Sequence, residues 1–357
     1  MGKIKVAIAL PCFIVGGAQR MVYELARSLD KNSFEVCVIC YERSVAGHLE
    51  DGLRSQGVDV RHIGPYEKIR VGALKQMSSV LNDFSPDVVH AHLGGSQAVL
   101  PWCIIHRVPV VVTLHTTMPK ALHPLVEKAA RLDSRGKLIK LVAVSAETQA
   151  QAIRHFRCNS VRVLEVNNGI DLDEYHPSCL DGPTVFINVG TQNENKNQAM
   201  LLDAFKTVSC SHPDSRLILV GDGPVHETLL AAAKGDSRIV LPGSVTNVAK
   251  WLSRANVYVQ CSFREAMPMA VIEAIASGLP VITTNVGGVG DVVRNEREGL
   301  LIEPGSKDAL VDAMERFCDA GFRDKMASSS LSRARCFSSS EMAKGYERIY
   351  LKAVKHS

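Results

Sequence analysis

Aromatic residues are sparse in this chain, at 5% of 357 residues with only two Trp. They are not interleaved with the basic residues, so the stacking platforms that grip single-stranded nucleic acid are missing, and no nucleic-acid partner is expected. Long apolar runs are missing too. Stretches such as Val6–Leu10 and Val108–Val112 fall far short of the about 20 residues that cross a bilayer. No G-x-G-x-x-G occurs, which removes the dinucleotide fingerprint and disfavours an oxidoreductase. Cysteine is not scarce, at ten, but paired metal spacing is. Cys37 and Cys40 form a lone C-x-x-C inside a strand pattern, and a zinc site of this kind needs a second pair. Cys103 and Cys261 likewise fall in apolar strands. A chain of this length needs no disulfide staples, so the cysteines read as reduced thiols of a cytoplasmic protein. Lys3–Val15 combines two lysines with an apolar stretch, as a signal peptide does. Because it runs directly into a glycine loop and a helix, it reads better as a buried first strand.

What the chain has in quantity is ordinary globular material, 46% hydrophobic and 22% charged. Its length makes two domains the default. Short β-rich runs alternate with helical patterns. In the first half the strands are Lys5–Leu10, Phe34–Cys40, Val58–His62, Val88–His92, Val108–Leu114, Leu141–Val144 and, more weakly, Val161–Glu165. In the second they are Val185–Val189, Arg216–Val220, Ile239–Leu241, Val257–Val259 and Val281–Thr284. Helices such as Gln19–Leu29, Gln198–Ser209 and Ala309–Ala320 fall between them. Such alternation makes parallel sheets with helices on both faces. The series restarts at Phe186, after a polar stretch containing Pro177, Gly182 and Pro183. The expected architecture is therefore α/β, with two Rossmann-like, doubly wound domains facing a cleft. The domains run over 1–170 and 185–336, joined by a linker at 171–184, and a C-terminal helix at 337–357 packs back on the first domain.

Charge is uneven. Residues 1–170 carry 21 Lys and Arg against 14 Asp and Glu, a net of +7, and the remainder nets −3. Lys128, Arg131, Arg135, Lys137 and Lys140 hold much of the excess. They are either a solvated helix face or a surface meeting an anionic membrane or a diphosphate-bearing acceptor.

The most informative stretch is 262–293. Glu265 and Glu273 are separated by seven residues, and Glu273 lies in an apolar helix-forming run. Gly278 with Pro280 beyond it makes a helix stop. A strand, Val281–Thr284, and a Gly287-Gly288 turn follow. Ionised carboxylates accept hydrogen bonds and donate none, which suits a ligand rich in hydroxyls, such as a sugar or a ribose.

This segment resembles the donor-site signature of the family-4 retaining glycosyltransferases, which have the GT-B fold. The match includes Pro268, Glu273-Ala, Ser277-Gly-Leu-Pro-Val and Gly287-Gly288. Further resemblance lies in Gly16-Gly-Ala-Gln-Arg-Met-Val-Tyr-Glu-Leu-Ala, Pro86-Asp-Val-Val-His-Ala-His, Val111-Val-Thr-Leu-His, Val142-Ala-Val-Ser, Asn168-Gly-Ile-Asp, Val220-Gly-Asp-Gly-Pro and Pro242-Gly-Ser. It covers nearly the whole chain.

The resemblance implies roles. Glu265, His115 and Lys196 would be catalytic: Glu265 and His115 beside the donor sugar, Lys196 neutralising the leaving diphosphate as a point charge. Glu273 would hold the ribose, and Gly17 would lie beside the diphosphate and the acceptor. Ser244 and Val245 would meet the nucleobase. Met267, Pro268 and Met269 would begin a helix whose dipole favours the phosphates. Apart from the resemblance, Gly16-Gly17 also fits a tight turn needing positive φ, and Ser145 reads as a helix cap. The family usually has Arg after the glycine of the Gly190 loop, where Thr191 stands, and Arg264 is the candidate replacement. Asp171-Leu-Asp173 spells D-x-D but sits in the linker, so turn chemistry and no metal are expected. No enzyme nucleophile is evident, which fits front-face displacement assisted by the leaving diphosphate.

The resulting expectation is a retaining glycosyltransferase, cytoplasmic or peripheral at the inner membrane face. It would move a hexose-type sugar from a nucleotide diphosphate, UDP, to a glycan or lipid-linked acceptor in surface polysaccharide synthesis, without a cofactor. The rivals are a sugar-nucleotide 2-epimerase of similar fold and a non-catalytic sugar-nucleotide-binding regulator. Acceptor choice should reside in Tyr66–Val71 and Thr116–His123.

Overall fold

The computed structural model describes residues 2–13, 16–42, 47–64, 71–116, 118, 121–133, 136–158, 163–177 and 182–355. By its internal contacts the chain divides into two compact units, Met1–Gly169 with Ser339–Ser357, and Ile170–Ser338.

The first unit holds a seven-stranded sheet. Its strands are β1 (Ile4–Leu10), β2 (Phe34–Cys40), β3 (Asp59–His62), β4 (Val88–His92), β5 (Val110–Leu114), β6 (Ile139–Ala143) and β7 (Val163–Glu165). The order is β3-β2-β1-β4-β5-β6-β7, and all pairs are parallel. Helices cover both faces of such a sheet, so its central strands can be apolar at every position. β4 and β5 are accordingly buried along their whole length. His90, His92 and Thr113 are the polar residues among them, and the fold has to satisfy them internally. The helix Ser339–Lys355 belongs to this unit. It buries Tyr346 and Tyr350 completely and brings Glu347 to accept from the Asp30 amide at 2.9 Å.

The second unit holds six strands: β8 (Val185–Val189), β9 (Arg216–Val220), β10 (Ile239–Gly243), β11 (Val257–Gln260), β12 (Val281–Thr284) and β13 (Gly299–Ile302). They run in the order β10-β9-β8-β11-β12-β13, again parallel. Both sheets therefore reverse direction beside their first strand, between β1 and β4 and between β8 and β11. Ligands of open α/β sheets bind outside the carboxyl ends of the strands at such switch points.

Several local readings change. β13 has no counterpart among the expected strands: it is four residues long and begins at Gly299, whose Cβ would collide with the Val281 carbonyl. The helix expected over Ala309–Ala320 is two helices, Lys307–Arg316 and Ala320–Ala334. Asp319 breaks it by accepting from the Phe322 amide at 2.7 Å, an N-cap that starts a new helix. The polar stretch after Ile170 lies in the second unit, with a capped turn over Leu172–Glu174 and Tyr175 buried. Asp171 accepts from the Asp173 amide there. Ser145 caps its helix through the Thr148 amide.

Candidate active site

In the second unit, two loops meet over the β8–β11 switch point. The first, Gly190–Asn197, leaves β8. Its opening residue has φ +154, a conformation open to glycine and costly for others. Gly221, leaving β9, has φ +127, and a Cβ there would collide with the Gly190 carbonyl. The second loop, Ser262–Ala266, leaves β11. Asn195 joins the two: its Nδ2 donates to the Arg264 carbonyl at 3.0 Å and its carbonyl accepts from the Phe263 amide at 2.8 Å.

This seam brings Lys196 and Glu265 together. Lys196 Nζ lies 2.6 Å from Glu265 Oε1, with side chains 21% and 11% exposed. Gln260 Nε2 also donates to that oxygen, at 3.3 Å. The carboxylate is anchored through one oxygen while its loop stays partly open to ligand. Gly287 holds the loop from below. It has φ +54, and a Cβ would collide with the Glu265 carbonyl. The Gly288 amide donates to the Ala266 carbonyl at 2.9 Å. The Gly287-Gly288 turn is thus the seat of the Glu265 loop.

Glu273 sits on the helix Met269–Ala276, and the residue is 7% exposed. Met267, Pro268 and Met269 are buried at the helix start. Its stop is as the sequence indicates: Gly278 has φ +71, and the Leu279 amide reaches back to the Ala274 carbonyl. The side chain of Thr191 is exposed, while its carbonyl accepts from Gln198. Arg264 is exposed on the loop that Asn195 ties to Lys196, and its guanidinium makes no ion pair among the described residues. Ser244 and Val245 follow β10.

In the first unit, Gly17 opens the helix Gly17–Ser28 just past β1. The positive-φ reading of this turn is corrected: Gly16 has φ −178, plain extended backbone, and Gly17 is not in the left-handed region. His115 follows β5, half-buried. Its Nε2 lies 2.8 Å from Nδ1 of fully buried His92. Behind them His90 Nδ1 meets Tyr350 Oη at 2.6 Å, and His90 Nε2 meets Thr113 Oγ1 at 2.7 Å. Thr113 in turn contacts Tyr346 Oη at 2.9 Å. Burial disfavours a charged imidazolium. It pushes His115 down to about 4 and holds His90 and His92 well below the ordinary imidazole range. All three rings are neutral at pH 7.

Sequence reasoning missed Gln260 and His92. His92 was visible in the His90-Ala-His motif, but a strand-end histidine carries no sign of its neighbour 23 positions on, past the next helix and strand. The basic stretch also changes. Arg131 is paired with Glu127 at 2.8 Å and stacks on Phe156, and Lys140 donates to the Gly136 carbonyl. Arg135, Tyr66–Arg70 and parts of Thr116–His123 lie outside the described residues. Among the described residues, no helix is long and apolar enough to cross a membrane.

Comparison with known proteins fits this geometry. Residues 15–174 match the model of "Glycosyltransferase Family 4", and residues 183–320 that of "Glycosyl transferases group 1". Between them they take in most of the chain. The UDP-Gal:alpha-D-GlcNAc-diphosphoundecaprenol alpha-1,3-galactosyltransferase of Escherichia coli is 27% identical over 346 residues, covering 89% of this chain and 88% of that one. Among solved structures, a glycosyltransferase from Rickettsia africae superposes with a TM-score of 0.81 at 18% identity, over 100% of both chains. Anabaena HepE, in complex with UDP and glucose, superposes with a TM-score of 0.79 at 19% identity, over 97% of this chain and 99% of that one. With two doubly wound parallel sheets, the Glu265–Glu273 segment and both family matches in agreement, this chain is a GT-B enzyme and belongs to the family-4 glycosyltransferases.

Proposed function

We propose that this glycosyltransferase moves a hexose-type sugar from a UDP-sugar to a glycan or lipid-linked acceptor, with retention of anomeric configuration. The observation that carries the reading is the Lys196–Glu265 pair, poised over the β8–β11 switch point with Gln260 behind it. A cation and a hydroxyl-accepting carboxylate side by side suit a bond between a sugar and a diphosphate. In this reading Lys196 neutralises the diphosphate as it leaves, and Glu265 orients the sugar hydroxyls. Glu273 accepts from the ribose hydroxyls, and Ser244 and Val245 border the base. By the family resemblance, Gly17 belongs beside the diphosphate and His115 beside the sugar. No metal is required, because Lys196 and the Met269 helix start supply the field. The E. coli relative's name supports UDP and a lipid-linked acceptor, and HepE's bound UDP and glucose support the donor class.

The test is a reaction of UDP-sugars with a diphosphate-lipid-linked acceptor, with EDTA present, read by NMR at the new linkage. Retained configuration is expected. An inverted linkage refutes the mechanism. Conversion of UDP-sugar without acceptor makes it an epimerase, and UDP binding without turnover makes it a regulator.

The reading includes an anionic membrane beside the first unit, whose charge excess comes with exposed apolar residues. On the helix Pro124–Leu132, Leu125, Lys128 and Leu132 recur at helical spacing on the outer face. Leu125 is 67% and Leu132 77% exposed. With Arg131 and Lys140 engaged, the exposed cations here among the described residues are Lys128 and Lys137, so apolar insertion contributes to the binding beside charge. Sedimentation with anionic vesicles checks this: Leu125→Ser with Leu132→Ser should abolish binding, and raised salt should only weaken it. Full binding by the double variant refutes this surface.

A further inference from the structure

We infer that His92 is a positioning residue that fixes the tautomer of His115, so that His115 offers its Nδ1–H as a hydrogen-bond donor to the donor sugar. The inference rests on the reading above for the sugar being near His115. Its structural half stands apart from that reading.

His92 Nδ1 and His115 Nε2 are 2.8 Å apart, a hydrogen bond in which one ring nitrogen donates and the other accepts. A neutral imidazole carries one N–H, so the direction of this bond decides where both protons sit. The environment of His92 settles it. The ring is fully buried, and its Nε2 is enclosed with no hydrogen-bond partner. If His92 accepted, its N–H would sit on Nε2, and a buried donor would be left unpaired. If His92 donates, Nε2 carries only a lone pair. Buried acceptors lacking partners are tolerated better than buried N–H groups. His92 therefore donates through Nδ1, His115 accepts at Nε2, and the remaining proton of His115 is on Nδ1. That nitrogen has no partner among the described residues and is not among the enclosed unpaired atoms.

The surroundings hold His92 in this state. Its ring lies against His90, centroids 4.0 Å apart, on the same side of β4. His90 is locked between Tyr350 and Thr113, and both His90 and Tyr350 are fully buried. The helix Ser339–Lys355 thus clamps the ring behind His92, and His92 orients the ring in front. The chemical consequence is directional. His115 donates a hydrogen bond to a sugar oxygen and cannot take up a proton through Nε2, so it is a sugar-orienting donor and not a general base.

The test has two arms. Nitrogen-15 NMR of histidine-labelled protein, with His115 assigned through His115→Gln, reads the tautomer of the folded chain directly. The Nδ1-protonated pattern is expected at pH 7.5. An Nε2-protonated His115 overturns the proposal whatever the activity. Kinetics form the second arm. His92→Asn keeps an amide donor near the Nδ1 position and should retain most of kcat. His92→Leu should lower kcat about tenfold or more, the scale of a misplaced reacting group. UDP, which carries no sugar, should bind both variants as it binds wild type. Equal loss in His92→Asn and His92→Leu, or weakened UDP binding in both, makes His92 merely structural and overturns the positioning role. If His115→Gln itself turns over like wild type, the sugar is not at His115. The functional reading then fails while the NMR result still decides the tautomer.

Discussion

Glu265→Ala should have opposite effects on UDP binding and on turnover. Lys196 is engaged by Glu265 at 2.6 Å, and both groups are mostly buried. A diphosphate must draw the ammonium away from that carboxylate and also meets its negative charge. Two unit charges at about 4 Å attract by roughly 4 kcal/mol at an effective dielectric of about 20. Desolvation and side-chain ordering reduce the net value of a partly exposed pair to about 1 kcal/mol. Removing Glu265 should therefore tighten UDP by roughly fivefold, since 1.4 kcal/mol is about tenfold. The same change removes the group that orients the sugar, so kcat with the UDP-sugar should fall about a hundredfold. Calorimetric titration of UDP and initial rates on one protein preparation give both quantities, and unfolding midpoints control for damage to the loop. Lys196→Met should weaken UDP, and the double variant should depart from the sum of the two single changes, the signature of a coupled pair. Wild-type rates in Glu265→Ala would sink the site. Weaker UDP binding in that variant would show that Glu265 holds Lys196 in place for the phosphate and does not compete with it.

Three further outcomes follow from the same geometry. Glu273→Ala should weaken UDP by about 1.5–3 kcal/mol, the value of a charged hydrogen bond, and leave pyrophosphate binding unchanged; equal loss for both ligands would move Glu273 away from the ribose. Thr191→Arg should tighten UDP and make its binding more salt-sensitive, because a forked donor set replaces a hydroxyl; Arg264→Ala should weaken UDP if Arg264 already serves there, and no change in either variant would mean that this loop does not meet the phosphates. Stability should fall as pH drops from about 6.5 toward 4. The unfolded chain takes up protons on histidines with ordinary values near 6.5, while His115, held to about 4, and His90 and His92, held lower, stay neutral in the fold. Urea midpoints across that range check the slope, and His92→Asn should flatten it.

The sequence by itself determined the class of fold and the identity of the chemically able residues. Alternation of short β-branched runs with helical spacing leaves a chain no arrangement but parallel, helix-covered sheets, and β2, β4, β8, β9 and β12 begin and end where that alternation says. Gly278 and Pro280 stop the Glu273 helix for local reasons, since a left-handed residue and a missing amide act over a few positions. The tertiary structure decided what depends on distant contacts. β13 exists because Gly299 can lie against the Val281 carbonyl, and nothing within four residues announces that. Gly287 matters for a carbonyl more than twenty positions back, at Glu265. Arg131 left the pool of free cations because Glu127 and Phe156 took it, which net charge does not reveal. Lys196 and Glu265 are 69 positions apart and meet because β8 and β11 are neighbours in a sheet whose order reverses between them. His92 and His115 pair because β4 and β5 lie side by side in the first sheet. Composition and spacing fix which groups a chain carries and how each segment folds. Which groups share a proton or a charge is set by strand order, because the hydrogen bond and the ion pair act only over a few ångströms.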